Sequence, residues 1–414
     1  MKLHLHLFLI ALLTVTVSCR QENGRPGTVH PSPAVEITVG EKTGIELPIE
    51  HWIEKVEFVR LETRSDVLIG QISHLLFTDS LIIVADQGIA QAIFVFDRNG
   101  RFRNRIGGRG QGPGEYLYIE HLALAPGKDR IAIVDMSLKR IMYYELDGTY
   151  LHTENFPFWL FYFEYLASGN KAFNVSGLND PEYGKYRNNE LIVTGSRNDV
   201  LYGACNDYGS EDFNFWGTPN PLRKFGGEVY FNPSFTDTVF LVTDEGVEPK
   251  YLLTVENSIP FKEKRMTDEL FQEYKDHRGY YLNGDFLKVQ DYFILHIMNH
   301  PTDFVLYSHK TSKIYKVLDN NVTYNPFSYM ERIYDIYLYK DNIVVCPETA
   351  DELSRFKENL YGSVKDPEQY GPRRQHPLMD DADYLRFMES LYEAPDFKED
   401  DNPVLFFYHL KTDL

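Results

Sequence analysis

Apolar positions in this chain gather in short runs separated by turn-forming residues, and one arrangement of these runs occurs twice. The first copy, LIIVADQGIAQAIFVFDRNGRFRNRIG, spans Leu81–Gly107, and the second, RIAIVDMSLKRIMYYELDGTYLHTEN, spans Arg130–Asn155. Each reads as a buried apolar strand, a turn that opens on Asp, a second strand, a hairpin turn closed by Gly, and a third strand. Asp86 and Asp135 hold the same place in the two copies, 49 residues apart. A repeat of about 40 to 50 residues with this content predicts one blade of a β-propeller. The recurrence of Asp at one blade position points to a structural role, capping a turn in each repeat, rather than to a cation site in the channel.

The same pattern extends along the chain with less regularity. Ile72 to Thr78 opens the first blade, and Asp97-Arg98-Asn99-Gly100 and Asp147-Gly148 are hairpin turns. The aromatic stretch FPFWLFYFEYL, Phe156 to Leu166, is read as core packing between blades. Leu191 to Cys205 ends a third blade, Gly227 to Val255 forms a fourth, and Asp291 to Val317 a fifth. The sixth takes Ile333 to Cys346 and the terminal strand Asn402 to Leu410. Upstream, His51 to Thr63 is a further strand, and the alternating stretch at 36–48 is expected to be an outer strand that closes the ring. Three segments have helical spacing instead: Thr267 to Lys275, Thr349 to Leu360 and Asp380 to Tyr392. The expected fold is therefore all-β, a six-bladed β-propeller over residues 36–414 with a few inserted helices in its C-terminal half.

The amino-terminal residues add a location. Lys2, the apolar stretch Leu7 to Leu13, and the small residues leading to Ser18 and Cys19 read as a secretory signal over residues 1–18, too short to span a membrane. Cys19 directly after Ser18 resembles the lipid-modified cysteine of bacterial lipoproteins, and the polar, Pro- and Gly-rich stretch up to residue 35 suits a flexible tether. The formal net charge of −19 excludes phosphate-backbone binding as the main activity and disfavours adhesion to anionic lipid, so membrane contact is assigned to the lipid on Cys19. Cys205 and Cys346, 141 residues apart, give no disulfide framework and are expected as buried thiols.

The phrase FDRNGRFRNRIGGRGQGPGEY, Phe96 to Tyr116, resembles the six-bladed β-propeller lipoproteins of Bacteroidetes, which are similar to NHL-repeat propellers. Further support comes from Phe231 to Tyr251, the helical segments before the C-terminus, and Asp401 to Lys411. The resemblance covers most of the chain and implies the fold and an envelope location, but not an activity.

Candidate chemistry is sparse. The connector GGRGQGPGEY, Gly107 to Tyr116, lacks the Lys-Ser/Thr pair of a phosphate-binding loop and precedes a strand, so no helix terminus is there to hold an anion. Arg109, Gln111, Glu115 and Tyr116 are its candidate binding residues. His296 and His300 lie about 13 Å apart on a strand, too far to share one metal ion. Asp380, Asp381 and Asp383 lack the spacing of a calcium loop. No GxSxG, HExxH or Ser/His/Asp spacing stands out. No catalytic residue, metal site or cofactor is assigned. The expected function is recognition of a protein, peptide or glycan at the bacterial envelope, without nucleic acid. The alternative is a propeller hydrolase, lactonase or lyase with a metal at the channel.

Overall fold

The computed structural model describes residues 34–40, 42–48, 51–175, 189–206, 220–233, 236–256, 281–298, 304–318, 336–351 and 400–414, with single positions between them. Six antiparallel sheets follow one another along the chain. The first has His74–Phe77, Leu81–Asp86, Ala92–Asp97 and Phe102–Ile106 in order from the innermost strand outward, and the second has His121–Leu124, Arg130–Asp135, Arg140–Glu145 and Tyr150–Asn155. Blade 3 is Leu160–Tyr165, Lys171–Val175, Asn189–Thr194 and Val200–Asn206. Blade 4 runs Leu222–Phe225, Glu228–Phe231, Thr238–Val242, Val247–Val255, and blade 5 runs Tyr281–Val289, Tyr292–Met298, Phe304–Ser308, Ile314–Leu318. Blade 6 takes Tyr337–Lys340, Ile343–Glu348 and Val404–Leu410, and finishes with Ile53–Arg60 from the other end of the chain. Inner strands touch from blade 6 through blades 1, 2 and 3 to blade 4, and blades 4, 5 and 6 share one hydrophobic core, which closes the ring.

Why both faces of a blade are apolar follows from this arrangement. Each middle strand lies between two other blades, so its alternate residues enter two different cores. Ile82, Val84, Phe94 and Phe96 pack toward Val345, Leu405 and Phe407 of blade 6. Ile83, Ala85, Ile93 and Val95 pack toward Ile131, Ile133 and Met142 of blade 2. A period of two is therefore present but hidden, because neither face meets water. It surfaces in the outer strand Phe102–Ile106, where exposure alternates. The aromatic stretch behaves as expected: Phe156, Phe158, Phe163 and Tyr165 fill the seam between blades 2 and 3 with Phe173. Cys205 and Cys346 are both buried.

Ring closure corrects one expectation. The stretch at 36–48 is two strands, and neither closes the ring. Val35–Val39 adds in parallel to Val247–Val255 as a fifth strand on blade 4, and Ile45–Pro48 adds in parallel to Ile314–Leu318 on blade 5. Closure falls to the next strand, Ile53–Arg60, paired antiparallel with Val404–Leu410 from Ile53↔Leu410 to Arg60↔Val404. The chain thus wraps the rim of blades 4, 5 and 6 before entering blade 1 at its innermost strand. This belt covers the outer edges of blades 4 and 5.

The inserted helices are not borne out among the described residues. The elements described in the C-terminal half are strands, and the described residues between them include helical backbone at Ala350, Asp351, Leu353, Ala382 and Arg386. Thr267 to Lys275 and most of the other two segments lie outside the described residues. Cys19, with the signal and all but the last two residues of the expected tether, does too, and Val35 belongs to the first strand rather than to the tether.

Candidate functional site

Strand alternation divides the connections between two faces of the ring. On one face every link is a tight turn: 78–80, 125–129, 166–170, 226–227, 290–291 and 341–342 after the inner strands, and 98–101, 146–149, 195–199, 243–246 and 309–313 before the outer ones. The longer connections, among them 107–120, 176–188, 207–221, 256–280, 319–336 and 349–403, are bounded by strand ends that lie at the opposite face. Variable loops on one face of a rigid ring are where a propeller builds a site. Of that face, the part around blades 1 and 2 is described in full.

Two buried aspartates organise it. Asp86 ends its strand on the long-loop face, where Oδ2 accepts from the amides of Gly70 (2.7 Å) and Gln71 (3.1 Å) and Oδ1 from Ile89 (2.7 Å). One side chain thus ties the segment entering blade 1 to the loop at 87–91. In blade 2, Asp135 Oδ2 accepts from the amide of Leu117 (2.9 Å) and from the Arg140 guanidinium (3.3 Å). Asp86 is therefore a clamp between blade 1's entering connector and its own long-face loop, the turn-capping role its recurrence suggested, whereas Asp135 holds the connector and Arg140 but makes no side-chain bond to the turn that follows it.

The connector from Gly107 to Tyr116 is closed on itself. Gly108–Arg109 pairs in parallel with Glu115–Tyr116, and Glu115 Oε2 accepts from the Gly112 amide at 2.9 Å. Gly107 has φ +63 and lies against the Tyr116 ring, a close approach that only glycine permits. Tyr116 is itself in the core between blades 1 and 2 and donates to the Ile106 carbonyl. Of the four candidates, Arg109, Gln111 and Glu115 are exposed and Tyr116 is buried. The structure brings them into one loop.

What sequence reasoning missed is the mouth of the channel. His74, His121 and Tyr162 sit at the long-face ends of three consecutive inner strands. Their rings meet edge to face, with centroids 5.5 Å apart between His74 and His121 and 5.2 Å between His121 and Tyr162. Burial pushes the His74 imidazole down to about 4, against a hydrogen bond to the Glu120 carbonyl, and holds His121 well below its ordinary value. Nδ1 of His121 accepts from the Phe163 amide at 3.5 Å, as a neutral ring can. Burial also raises two carboxyls. Glu120, which precedes His121, is pushed up to about 7, and Glu164 on the inner strand of blade 3 reaches about 7 although Lys224 faces it. Tyr118, hydrogen-bonded to Gln87, lies beside Glu120. These residues are far apart in sequence and share no motif, so only the ring assembles them. Among the described residues, no group of three His, Cys, Asp or Glu side chains is arranged to hold a metal ion.

Residues 33–409 match the family described as Domain of unknown function (DUF4934). The chain belongs to that family. No curated protein matches it. Among solved structures, the DUF4934 chain is similar to a protein of Bacteroides fragilis described as a candidate exported protein, with 18% identity and a TM-score of 0.65, covering 91% of this chain and 100% of that one. A member of the DUF4221 family from Bacteroides vulgatus aligns at 10% identity with a TM-score of 0.48, over 87% of this chain and 97% of that one. At 18% identity the likeness to the Bacteroides fragilis protein is one of fold.

The mouth of this DUF4934 propeller has a pH signature. A carboxyl whose folded pKa is raised, as for Glu120 from 4.5 to about 7, costs nothing below pH 4.5, where both states are protonated. The penalty grows as pH rises from 4.5 to 7 and is complete above it. Glu120→Gln is therefore expected to stabilise the fold at pH 8, by up to about 2 kcal/mol, with the gain vanishing near pH 4.5. Denaturant titrations of the parent and the variant at both pH values check this. A gain of equal size at the two pH values would contradict it.

Proposed function

We propose that this propeller is an exported lipoprotein anchored through Cys19, and that its long-loop face recognises a protein, peptide or glycan at the bacterial envelope. The observation that carries the reading is the division of connections, with tight turns on one face and the longer connections bounded by strand ends at the other. Recognition by loops on a rigid ring needs no reactive group, in keeping with a chain whose sequence has no catalytic motif. Support for export comes from Lys2, the apolar run Leu7 to Leu13 and the Ser18-Cys19 junction, and from the exported character ascribed to the Bacteroides fragilis protein of similar fold. Among the described residues no helix is long and apolar enough to cross a membrane, and the lipid would supply the attachment.

Two measurements test the two halves of this reading. Cell fractionation with intact-mass analysis is expected to find the parent in membranes with a lipidated N-terminus, and Cys19→Ser in the soluble fraction. If Cys19→Ser stays with membranes and carries the same modification, the anchor is wrong. For recognition, the full-length chain is probed on peptide and glycan arrays and each ligand is mapped by hydrogen exchange. Protection is expected in 68–73, 87–91, 107–120 and 136–139. Protection confined to the tight turns at 78–80, 125–129 and 146–149 would place the site on the wrong face.

A further inference from the structure

Exposed large apolar side chains among the described residues are few and unevenly placed. They are Ile45, Leu68, Ile89, Tyr118, Leu138 and Tyr150. Four of the six, Leu68, Ile89, Tyr118 and Leu138, lie on the long-loop face around blades 1 and 2, although four separate loops supply them. Scattered exposed apolar residues need no explanation, but a contiguous group does.

Hydrogen bonds and packing link the loops that carry this group. Ile89, 70% exposed, folds over Gly70 so closely that a Cβ there would lie 2.5 Å from its Cδ1, and Asp86 fastens both backbones. Leu68 is two residues before Gly70. Gln87, in the same loop as Ile89, bonds Tyr118. Leu117, beside Tyr118, is held by Asp135, whose next three residues form the short 3-10 turn bearing Leu138. These links place the four apolar side chains in an arc on the long-loop face of blades 1 and 2.

At the inner edge of this arc sits Glu120. Burial raises its pKa, and no cationic side chain among the described residues offsets the shift. Its neighbours are Tyr118 and the His74 ring, which burial keeps neutral and which bonds its carbonyl. A half-buried carboxylate without a counter-charge is a place where an incoming cation gains more than it would on the open surface. The chain as a whole has 61 Asp and Glu against 42 Lys and Arg, so its field draws basic partners.

We propose that this arc docks an extended peptide segment of a partner protein in which an aliphatic side chain is flanked by Lys or Arg. The aliphatic group rests on Leu68, Ile89 and Leu138, and the cation reaches Glu120. The inference rests on the recognition reading above and narrows it to one ligand class. Three of the four arc residues are aliphatic, which suits a peptide side chain better than a sugar, whose faces stack on aromatic rings. A membrane surface is disfavoured, because anionic headgroups would meet a strongly acidic protein and a carboxylate within the apolar patch.

The test uses the full-length chain and fluorescent dodecapeptide pools with Leu, Ile or Val at the centre and Lys/Arg, Gln or Glu at the flanks. The basic pools are expected to bind best. The strongest peptide should lose about tenfold or more in affinity with Ile89→Asp and with Leu68→Asp. Glu120→Gln should abolish the preference for Lys over Gln flanks while leaving the aliphatic requirement. Ile45→Asp, on the rim belt and 49% exposed, should change nothing. Thermal melts confirm that each variant is folded, and hydrogen exchange on the parent with the best peptide should show protection at 68–71, 87–91 and 117–118. Preference for the acidic pool, indifference to Ile89→Asp and Leu68→Asp, or no binding by any pool overturns the proposal. If a glycan array binds the long-loop face while the peptide pools do not, recognition stands and the peptide inference fails. If neither peptides nor glycans bind, both fail. Retention by anionic phospholipid vesicles that Ile89→Asp abolishes would assign the arc to a lipid surface, which also overturns it.

Discussion

Gly100→Ala should destabilise this propeller by about 3 kcal/mol or more, placing it among the most damaging single-methyl additions the fold can receive. Gly100 closes the hairpin turn between the two outer strands of blade 1, with φ +78, and a Cβ there would lie 2.0 Å from the carbonyl oxygen of Arg60 at the end of blade 6's outer strand. The Glu62 amide donates to the Gly100 carbonyl at 2.8 Å, so the two backbones are already as close as they can be. Blade 2 repeats the device: Gly148, with φ +93, would place a Cβ 2.5 Å from the carbonyl oxygen of Arg105, and Asn104 Nδ2 donates to the Leu146 carbonyl at 3.1 Å. Each hairpin turn is thus seated against the preceding blade's outer strand, and alanine must push the blades apart as well as adopt a left-handed backbone. The backbone part can be subtracted. Gly169 and Gly226 also have positive φ, +87 and +56, but an added Cβ would meet nothing within 4 Å. Gly169→Ala and Gly226→Ala should cost only about 1 kcal/mol, the conformational penalty alone. Denaturant midpoints should rank Gly100→Ala below Gly148→Ala, and both well below the two controls. Equal losses at all four positions would mean that the seams are looser than this geometry requires.

The glycines and aspartates of the repeat are also what made the fold legible. Gly100 and Gly148 sit where a hairpin turn demands positive φ, and Asp86 and Asp135 sit where two loops must be joined, so local backbone chemistry left a periodic trace. Two things left none. Val35–Val39 and Ile45–Pro48 pair in parallel with strands far along the chain, and parallel pairing has no hairpin to announce it. Hence 36–48 was readable as strand but not as a belt on blades 4 and 5. The channel mouth is the second case. His74 and His121 meet because each begins an inner strand, and their ring contact reflects neighbouring blades rather than any spacing that binds a ligand. Tyr116, in contrast, drew notice through its Gly-rich neighbours, and one of those glycines, Gly107, makes room for its ring in the core.

The seam that joins the two ends of the chain predicts the second large loss. Asn402, 2% exposed, precedes the last strand and makes four hydrogen bonds to the segment that carries the chain from blade 6 into blade 1. Its Nδ2 donates to the carbonyls of Glu62 (2.8 Å) and Val67 (2.8 Å), its Oδ1 accepts from the Ile69 amide (2.8 Å), and its own amide donates to Thr63 Oγ1 (2.9 Å). A carboxamide is the one side chain of this size that offers two donors and an acceptor from one plane. Asn402→Ala removes three of these bonds and strands buried partners, for an expected loss of about 3 kcal/mol. Asn402→Asp keeps the acceptor for Ile69 but points a second oxygen at two carbonyls. At pH 7 it should be worse than alanine, although it is the closer match in shape. Lowering the pH toward 4 protonates that carboxyl and restores one donor, so Asn402→Asp should recover relative to Asn402→Ala as pH falls. The opposite order at neutral pH would show that shape, and not the donor pattern, holds the seam. Because this segment continues to Leu68 and Gly70, the same latch fixes one end of the apolar arc. Asn402→Ala should therefore raise hydrogen exchange at 67–71 before it does so at 117–118, where Asp135 alone supplies the clamp.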